Sequence, residues 1–216
     1  MHLIRTNGEG TDFEDIHQVC PHTSSAWYID QNLNAPQCAF PRLFKSHREL
    51  QQLSPHSKVK FISTIRDPLS TLISQYEFRR ARGQLAKDIS ILEFAKSKTW
   101  TKVGNTGSST NIYEHTATFW KCKTAVNFML IPYEDLIQDR SKWIKKIADY
   151  MDVSCSDHLA QKIFELTTRD AMLSCVHKFD ESWVAQQRKI TGRAHPNIVQ
   201  VILDNAFHDI VIIILL

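Results

Sequence analysis

With 216 residues, 43% of them hydrophobic, the chain can bury the core of one globular domain, or at most two. Its formal charge of +3 is too small to mark the whole molecule as a nucleic-acid binder, so any preference for anions must come from local clustering. Cys20, Cys38, Cys122, Cys155 and Cys175 are scattered, odd in number and without C-x-x-C spacing. That argues against a disulfide scaffold and a zinc site and fits a reducing, cytoplasmic compartment. The opening MHLIRTNGEG has no charged leader followed by a long apolar core, so no secretory signal is read. The last seven residues, Ile210 to Leu216, are apolar, but a membrane helix needs about 20 such residues, so no membrane span is expected.

In chain order, Thr11 with Glu14 makes a capping-box pattern for a short helix that Pro21 ends. Residues 40–47, FPRLFKSH, read as extended, and 58–65, KVKFISTI, as a buried strand, a short apolar run rich in β-branched residues. Asp67 then caps a helix to about Arg82, with Pro68 in the first turn where its missing N–H costs nothing. Asp88 is the expected cap of a helix over ISILEFAKSK, and GNTGSS, lacking the lysine of a phosphate loop, reads as a turn. TNIYEHTATFWK predicts a helix with Ile112, Phe119 and Trp120 on one face. A second buried strand covers 125–131, AVNFMLI. After PYEDL comes a helix with Trp143, Ile144, Ile147, Ala148 and Met151 along one side, and Ser156 with Asp157 starts the next. Strands alternating with helices, without repeats or low-complexity linkers, predict an α/β domain with a parallel sheet flanked by helices.

In an open α/β sheet the ligand crevice lies beyond the carboxyl ends of the strands. Arg66 sits at such an end. A helix beginning at Asp67 turns its partial positive charge and free N–H groups toward the same crevice, which suits a phosphate, and Ser74, two turns in, can reach the same anion. Between residues 40 and 82 there are nine Lys or Arg against three acids. Arg79, Arg80 and Arg82 read as the solvated last turn of the helix, where cations are favoured; Lys45, His47 and Arg66 flank apolar runs instead. His115 reads as a structural hydrogen-bonding residue, and the remaining histidines show no metal-ligand pairing, so no metal is expected. Trp120, Trp143 and Phe164 read as core.

Three stretches, PRLFKSH at 41–47, FISTIRDPLSTLISQYEF at 61–78 and IPYEDLIQDRSKWIKKIADYM at 131–151, resemble the cytosolic-type sulfotransferases in order, spacing and residue type. YEHTATFW, Tyr113 to Trp120, is similar to that family's Trp-Tyr-x-His-x-x-x-x-Trp pattern. The resemblance runs from about residue 1 to 190. It implies a P-loop-NTPase-like fold and transfer of a sulfuryl group from 3′-phosphoadenosine 5′-phosphosulfate (PAPS) to the hydroxyl or amine of a small acceptor, with no metal and no nucleic-acid partner. On that resemblance Arg66 and Ser74 hold the 3′-phosphate. His47 is the general base and Lys45 stabilises charge on the transferring group. Tyr133 contacts the adenine side, as does Thr167, although Arg169 stands where the family has an aromatic residue. Arg188, Lys189 and Arg193 correspond to a C-terminal group contacting the 3′-phosphate. The residue types suit the chemistry. An alcohol is a poor nucleophile until a base such as neutral His removes its proton, and positive groups are needed where charge builds on the leaving phosphate.

The family's phosphosulfate loop, a strand followed by Lys-Ser-Gly-Thr-Thr-Trp and a helix, is expected before MHLIRTNGEG, which looks like the second half of that helix. The 216 residues do not contain it. The reading is therefore an N-terminally truncated sulfotransferase domain over 1–195, followed by a divergent apolar tail over 196–216. The alternative is a catalytically inactive, sulfotransferase-like remnant that binds nucleotide or a protein partner. A nucleoside-kinase-like enzyme would need a phosphate loop of its own and fits less well. The acceptor is not legible, because acceptor pockets are built from variable loops.

Overall fold

A computed structural model of the chain describes residues 1–23, 25–46, 59–81, 83–97, 112–125, 127–180, 182–193 and 212–215, the backbone alone for 112–115 and 212–215. The helices are α1 (His2–Arg5), α2 (Ile16–Val19), α3 (Pro68–Ala81), α4 (Ile91–Lys96), α5 (Ile112–Lys121), α6 (Tyr133–Gln138), α7 (Arg140–Tyr150), α8 (Asp157–Leu166), α9 (Arg169–Ser174) and α10 (Ser182–Thr191), with a 3₁₀ turn at Val176–Lys178. The strands are β1 (Leu43–Ser46), β2 (Lys60–Ile65), β3 (Phe128–Pro132) and β4 (Ile212–Leu215).

The two apolar runs at the heart of the sequence reading pair in parallel, from Phe61↔Phe128 to Ile65↔Pro132. Among the described residues the strand order is β1-β4-β2-β3. β4 lies antiparallel to both β1 and β2, so these two run in the same direction with β4 between them. Part of the apolar tail is thus a strand of the sheet. The physical reason is hydrogen bonding: an apolar run leaving water must pair its backbone N–H and C=O groups, and two strands one strand's width apart supply partners on both sides. The other edge of β1 is tied to the segment before it. The Lys45 N–H donates to the Pro21 carbonyl at 2.9 Å, and the Thr23 N–H donates to the Lys45 carbonyl at 2.9 Å.

Alternation along the strands separates two cores. Phe44, Phe61 and Phe128 join Val59, Tyr76, Phe94 and Phe119 in an aromatic cluster. Leu43, Ile62 and Ile131 join an aliphatic cluster with Ile4, Ile144, Ile147, Ala148, Met151, Leu159, Ala160 and Ile163. The stripe read along 143–151 is therefore the inward face of α7, with Trp143 partly buried at its border, and Phe164 of α8 packs at the same border. Gly8 passes close beside α8 at φ +77, where a Cβ would come within 2.8 Å of the Lys162 side chain.

Several local expectations shift. The short helix before Pro21, α2, is capped by Asp15, whose Oδ1 accepts the His17 N–H at 2.8 Å, instead of by Thr11. Ser90, and not Asp88, caps α4, because Ser90 completes a reciprocal capping box with Glu93 that a residue two positions earlier cannot reach. PYEDL contributes a helix of its own, α6. It ends at Asp139, whose carboxylate caps α7 by accepting the Lys142 N–H at 3.0 Å. Asp67 and Ser156 cap as expected, accepting from Ser70 at 2.8 Å and Leu159 at 3.1 Å. On α5, Phe119 is fully buried and Trp120 is 51% exposed with the Lys123 ammonium over its ring. Adjacent helical residues point about 100° apart, so a helix seated through Phe119 leaves Trp120 outside. The side chains of Ile112 and His115, and the GNTGSS turn, lie outside the described residues. Among the described residues no helix is long and apolar enough to cross a membrane.

Candidate functional site

The site is built where β2 and β3 end. Their last register pair is Ile65↔Pro132, so Arg66 and Tyr133 follow as the first residues beyond it on each strand. The Arg66 guanidinium lies over the Tyr133 ring, 4.7 Å from its centroid. Such a cation–π contact contributes about 0.5–1 kcal/mol at exposed sites. One residue further on, the Asp67 N–H donates to Glu134 Oε1 at 2.9 Å. The two junctions are thereby joined side chain to side chain and side chain to backbone.

The α3 N-terminus differs from the expectation of free N–H groups facing a phosphate. The Ser70 N–H is taken by the Asp67 carboxylate and the Asp67 N–H by Glu134. The Ser70 amide, then its hydroxyl, holds the Asp67 carboxyl below the usual carboxylate range. With two carboxylates already placed there, the positive charge of the site comes from Arg66 and not from the helix end. Ser74 sits half-buried two turns into α3.

Sequence reasoning missed a polar stripe on the same helix. Thr71, Gln75 and Arg79 are 4%, 3% and 2% exposed, and their i, i+4, i+8 spacing was the available signal. Arg79 is therefore not part of a solvated last turn; burial pushes its guanidinium below the usual arginine range. Arg80 does remain exposed, 5.9 Å over the Tyr76 ring.

Lys45 lies half-buried in β1, and its charge reaches the buried Cys20. Burial pushes the Cys20 thiol up to about 11, with Arg5 and Lys45 pulling the other way. Beside Lys45, the buried Ser46 accepts from the Thr23 hydroxyl at 3.1 Å. His47 lies outside the described residues.

Thr167 closes α8, its hydroxyl donating to the Ile163 carbonyl at 2.8 Å and its carbonyl accepting from Arg140 at 2.7 Å. Arg169 is exposed as the first residue of α9. The C-terminal basic residues sit on or just beyond α10, Arg188 and Arg193 against the 27–30 segment. Arg188 lies 5.4 Å over the Tyr28 ring, Lys189 is exposed, and Arg193 pairs with Asp30 at 2.7 Å while donating to the Trp27 carbonyl at 2.8 Å. A polar cleft of about 460 Å³ lies along α6 and α7, lined by Asp135, Gln138, Asp139, Lys142, Trp143 and Lys146. Among the described residues no group of three His, Cys, Asp or Glu could hold a metal ion.

Residues 4–190 match the family model of the sulfotransferase domain. Sulfotransferase 4A1 of Mus musculus is 28% identical over 128 residues, covering 58% of this chain and 44% of that protein. The 3-beta-hydroxysteroid sulfotransferase of Cavia porcellus is 31% identical over 117 residues, 51% of this chain and 38% of that one. The chain thus spans less than half the length of these relatives. Among solved structures, retinol dehydratase in complex with androsterone and inactive cofactor PAP is similar with a TM-score of 0.58 at 21% identity, over 73% of this chain and 44% of that one, a likeness of fold. The family model runs from α1 into α10, across the α/β domain just described, and the chain belongs to the sulfotransferase family.

Proposed function

We propose that this chain carries the nucleotide-binding half of a cytoplasmic sulfotransferase that moves a sulfuryl group from PAPS to a hydroxyl or amine of a small acceptor. The observation that carries the reading is the pairing of Arg66 with Tyr133 at the carboxyl ends of two adjacent parallel strands. Arg66, with Ser74, is proposed to hold the 3′-phosphate, and Tyr133, with Thr167, to contact the adenine side. Arg188 and Lys189 of α10 are proposed as further cations for the same phosphate. His47 takes the acceptor proton as the acceptor oxygen or nitrogen bonds to sulfur and the bond from sulfur to the 5′-phosphate oxygen breaks. Lys45 offsets negative charge on the group in flight, and 3′-phosphoadenosine 5′-phosphate (PAP) leaves. That the related retinol dehydratase was solved with PAP and androsterone supports a nucleotide of this kind and a small acceptor.

Calorimetry with PAP tests the clamp. Arg66→Ala is expected to weaken binding by about 2 kcal/mol, roughly 30-fold, since a charge-assisted contact is lost. Equal affinity of the unmutated chain for PAP and for its 3′-dephosphorylated form would overturn the assignment of a 3′-phosphate site. Transfer is tested with labelled PAPS and a panel of phenols, alcohols and amines. The 216 residues are compared with the same chain preceded by a family-type strand, Lys-Ser-Gly-Thr-Thr-Trp loop and half-helix. The longer form is expected to be faster by a factor of about 100 or more, because one preorganised donor is worth on the order of 3 kcal/mol in the transition state. Equal rates would show the phosphosulfate site to be elsewhere. Nucleotide binding without transfer by the longer form would make the chain a noncatalytic nucleotide-binding member of the family.

A further inference from the structure

Glu134 stands between the proposed adenine-side tyrosine and the rest of α6, and no step above uses it. Its carboxylate is exposed and lies in the first turn of α6, where a negative charge is ordinarily explained by that helix's own dipole. The hydrogen bond it makes is a different one. Glu134 Oε1 accepts at 2.9 Å from the amide of Asp67, 67 residues away in sequence. The register explains the meeting: beyond Ile65↔Pro132, Arg66 and Tyr133 are the first residues out and Asp67 and Glu134 the second. Arg66 over Tyr133 and Asp67 on Glu134 therefore form two consecutive cross-links between the same two turns. The second fixes the peptide group from which the Arg66 side chain departs.

We infer that Glu134 is a positioning residue: by holding the Asp67 amide it sets the turn after β2, keeps the Arg66 guanidinium on the Tyr133 ring, and so shapes the contact Arg66 makes with a nucleotide phosphate. The inference rests on the reading of Arg66 as a phosphate ligand. It predicts an effect opposite to simple electrostatics. A carboxylate near an anion site repels the anion, so deleting a bystander carboxylate should tighten binding. Deleting a carboxylate that positions Arg66 should weaken it.

The experiment uses the full chain and PAP as probe, with calorimetry on Glu134→Ala, Glu134→Asp, Glu134→Gln, Arg66→Ala and the Arg66→Ala/Glu134→Ala pair. Alanine and the shorter aspartate are expected to weaken PAP binding about 5- to 10-fold, whereas glutamine, which keeps an acceptor oxygen at the same reach, stays within about 2-fold. In the Arg66→Ala background, Glu134→Ala is expected to add nothing. A ligand-free readout runs beside it: the Arg66 side-chain proton resonances, shifted upfield by the Tyr133 ring. That shift should vanish in the alanine and aspartate variants and persist in the glutamine variant. If the unmutated chain fails to bind PAP, the reading of Arg66 as a phosphate ligand fails while the resonance comparison still decides whether Glu134 positions Arg66. If Glu134→Ala does not fold, the contrast between the aspartate and glutamine variants carries both measurements. Unchanged or tighter PAP binding on removal of Glu134, the same loss with and without Arg66, or an unmoved Arg66 resonance would each overturn the proposal.

Discussion

Successive strand residues go to opposite faces of the sheet, and the two faces are held by different means. On the aromatic side the contributing helices each offer one large ring: Tyr76 from α3, Phe94 from α4 and Phe119 from α5. Phe119 stacks on Phe128 with centroids 5.8 Å apart, and the Tyr76 hydroxyl donates to the Ile89 carbonyl at 2.8 Å. On the aliphatic side α7 and α8 interleave smaller groups, Ile144, Ile147 and Ala148 against Leu159, Ala160 and Ile163. A face built from single rings concentrates its stabilisation in a few positions, while a face of interleaved aliphatic residues spreads it and can partly close over a gap. The helix that begins at the candidate site, α3, belongs to the concentrated face.

The largest expected effect tests that contrast directly. Phe119→Ala should destabilise the fold by about 3–5 kcal/mol and Ile147→Ala by about 2–4 kcal/mol, measured by urea unfolding. An equal or larger loss from the isoleucine would show that the aliphatic face is no better distributed.

A smaller effect, read against pH, sits at the rim of the aliphatic face. Arg5 is buried and donates to the carbonyls of Val19 at 2.6 Å and Pro41 at 2.8 Å, and through Nη2 lies 3.2 Å from His2 Nδ1. The other ring nitrogen of His2 lies 2.9 Å from the Gly10 carbonyl. A neutral imidazole protonated at Nε2 satisfies both neighbours, donating to Gly10 and accepting from Arg5. Burial first, and the Arg5 charge second, lower the His2 pKa from its ordinary 6.5. The unfolded chain therefore takes up a proton at a higher pH than the folded one. The contribution of His2 is complete above pH 6.5, falls as the pH drops through the lowered folded value, and then levels off. Stability measured from about pH 7.5 down to about pH 5 should decline less steeply in His2→Gln than in the unmutated chain. Identical slopes would assign the pH dependence to another group.

The smallest effect belongs to the surface of the same side. Glu9 pairs with Lys162 of α8, with side chains 76% and 37% exposed. Glu9→Gln should change stability by less than about 0.5 kcal/mol, and less still in high salt. A loss above 1 kcal/mol would show that the N-terminal segment is held to α8 by charge as much as by packing.

What the residues determined alone is what short-range pattern can encode. The runs read at 58–65 and 125–131 contain strands, Lys60–Ile65 and Phe128–Pro132, because their apolar, β-branched residues fit a buried pleat, while Ala125 and Asn127 fall in the turn before β3, where the Phe128 N–H donates to the Ala125 carbonyl at 3.1 Å. The 144–151 stripe had to be a helix face, and Asp67 and Ser156 stood where a side-chain oxygen reaches an amide two or three residues on. The local pattern erred where two neighbouring side chains could do the same task, as with Asp88 and Ser90 or Thr11 and Asp15, because cap strength depends on reach and on a reciprocal partner. Arg66 and Tyr133 could each be named from the family's motifs, but their contact could not, since it depends on the register of two strands far apart in sequence. Tertiary structure likewise gave the Asp67 amide to Glu134, buried Arg79, and took Ile212–Leu215 between β1 and β2. In each case long-range partners compete for the same hydrogen-bonding groups and the same space, and only the assembled fold decides which one wins.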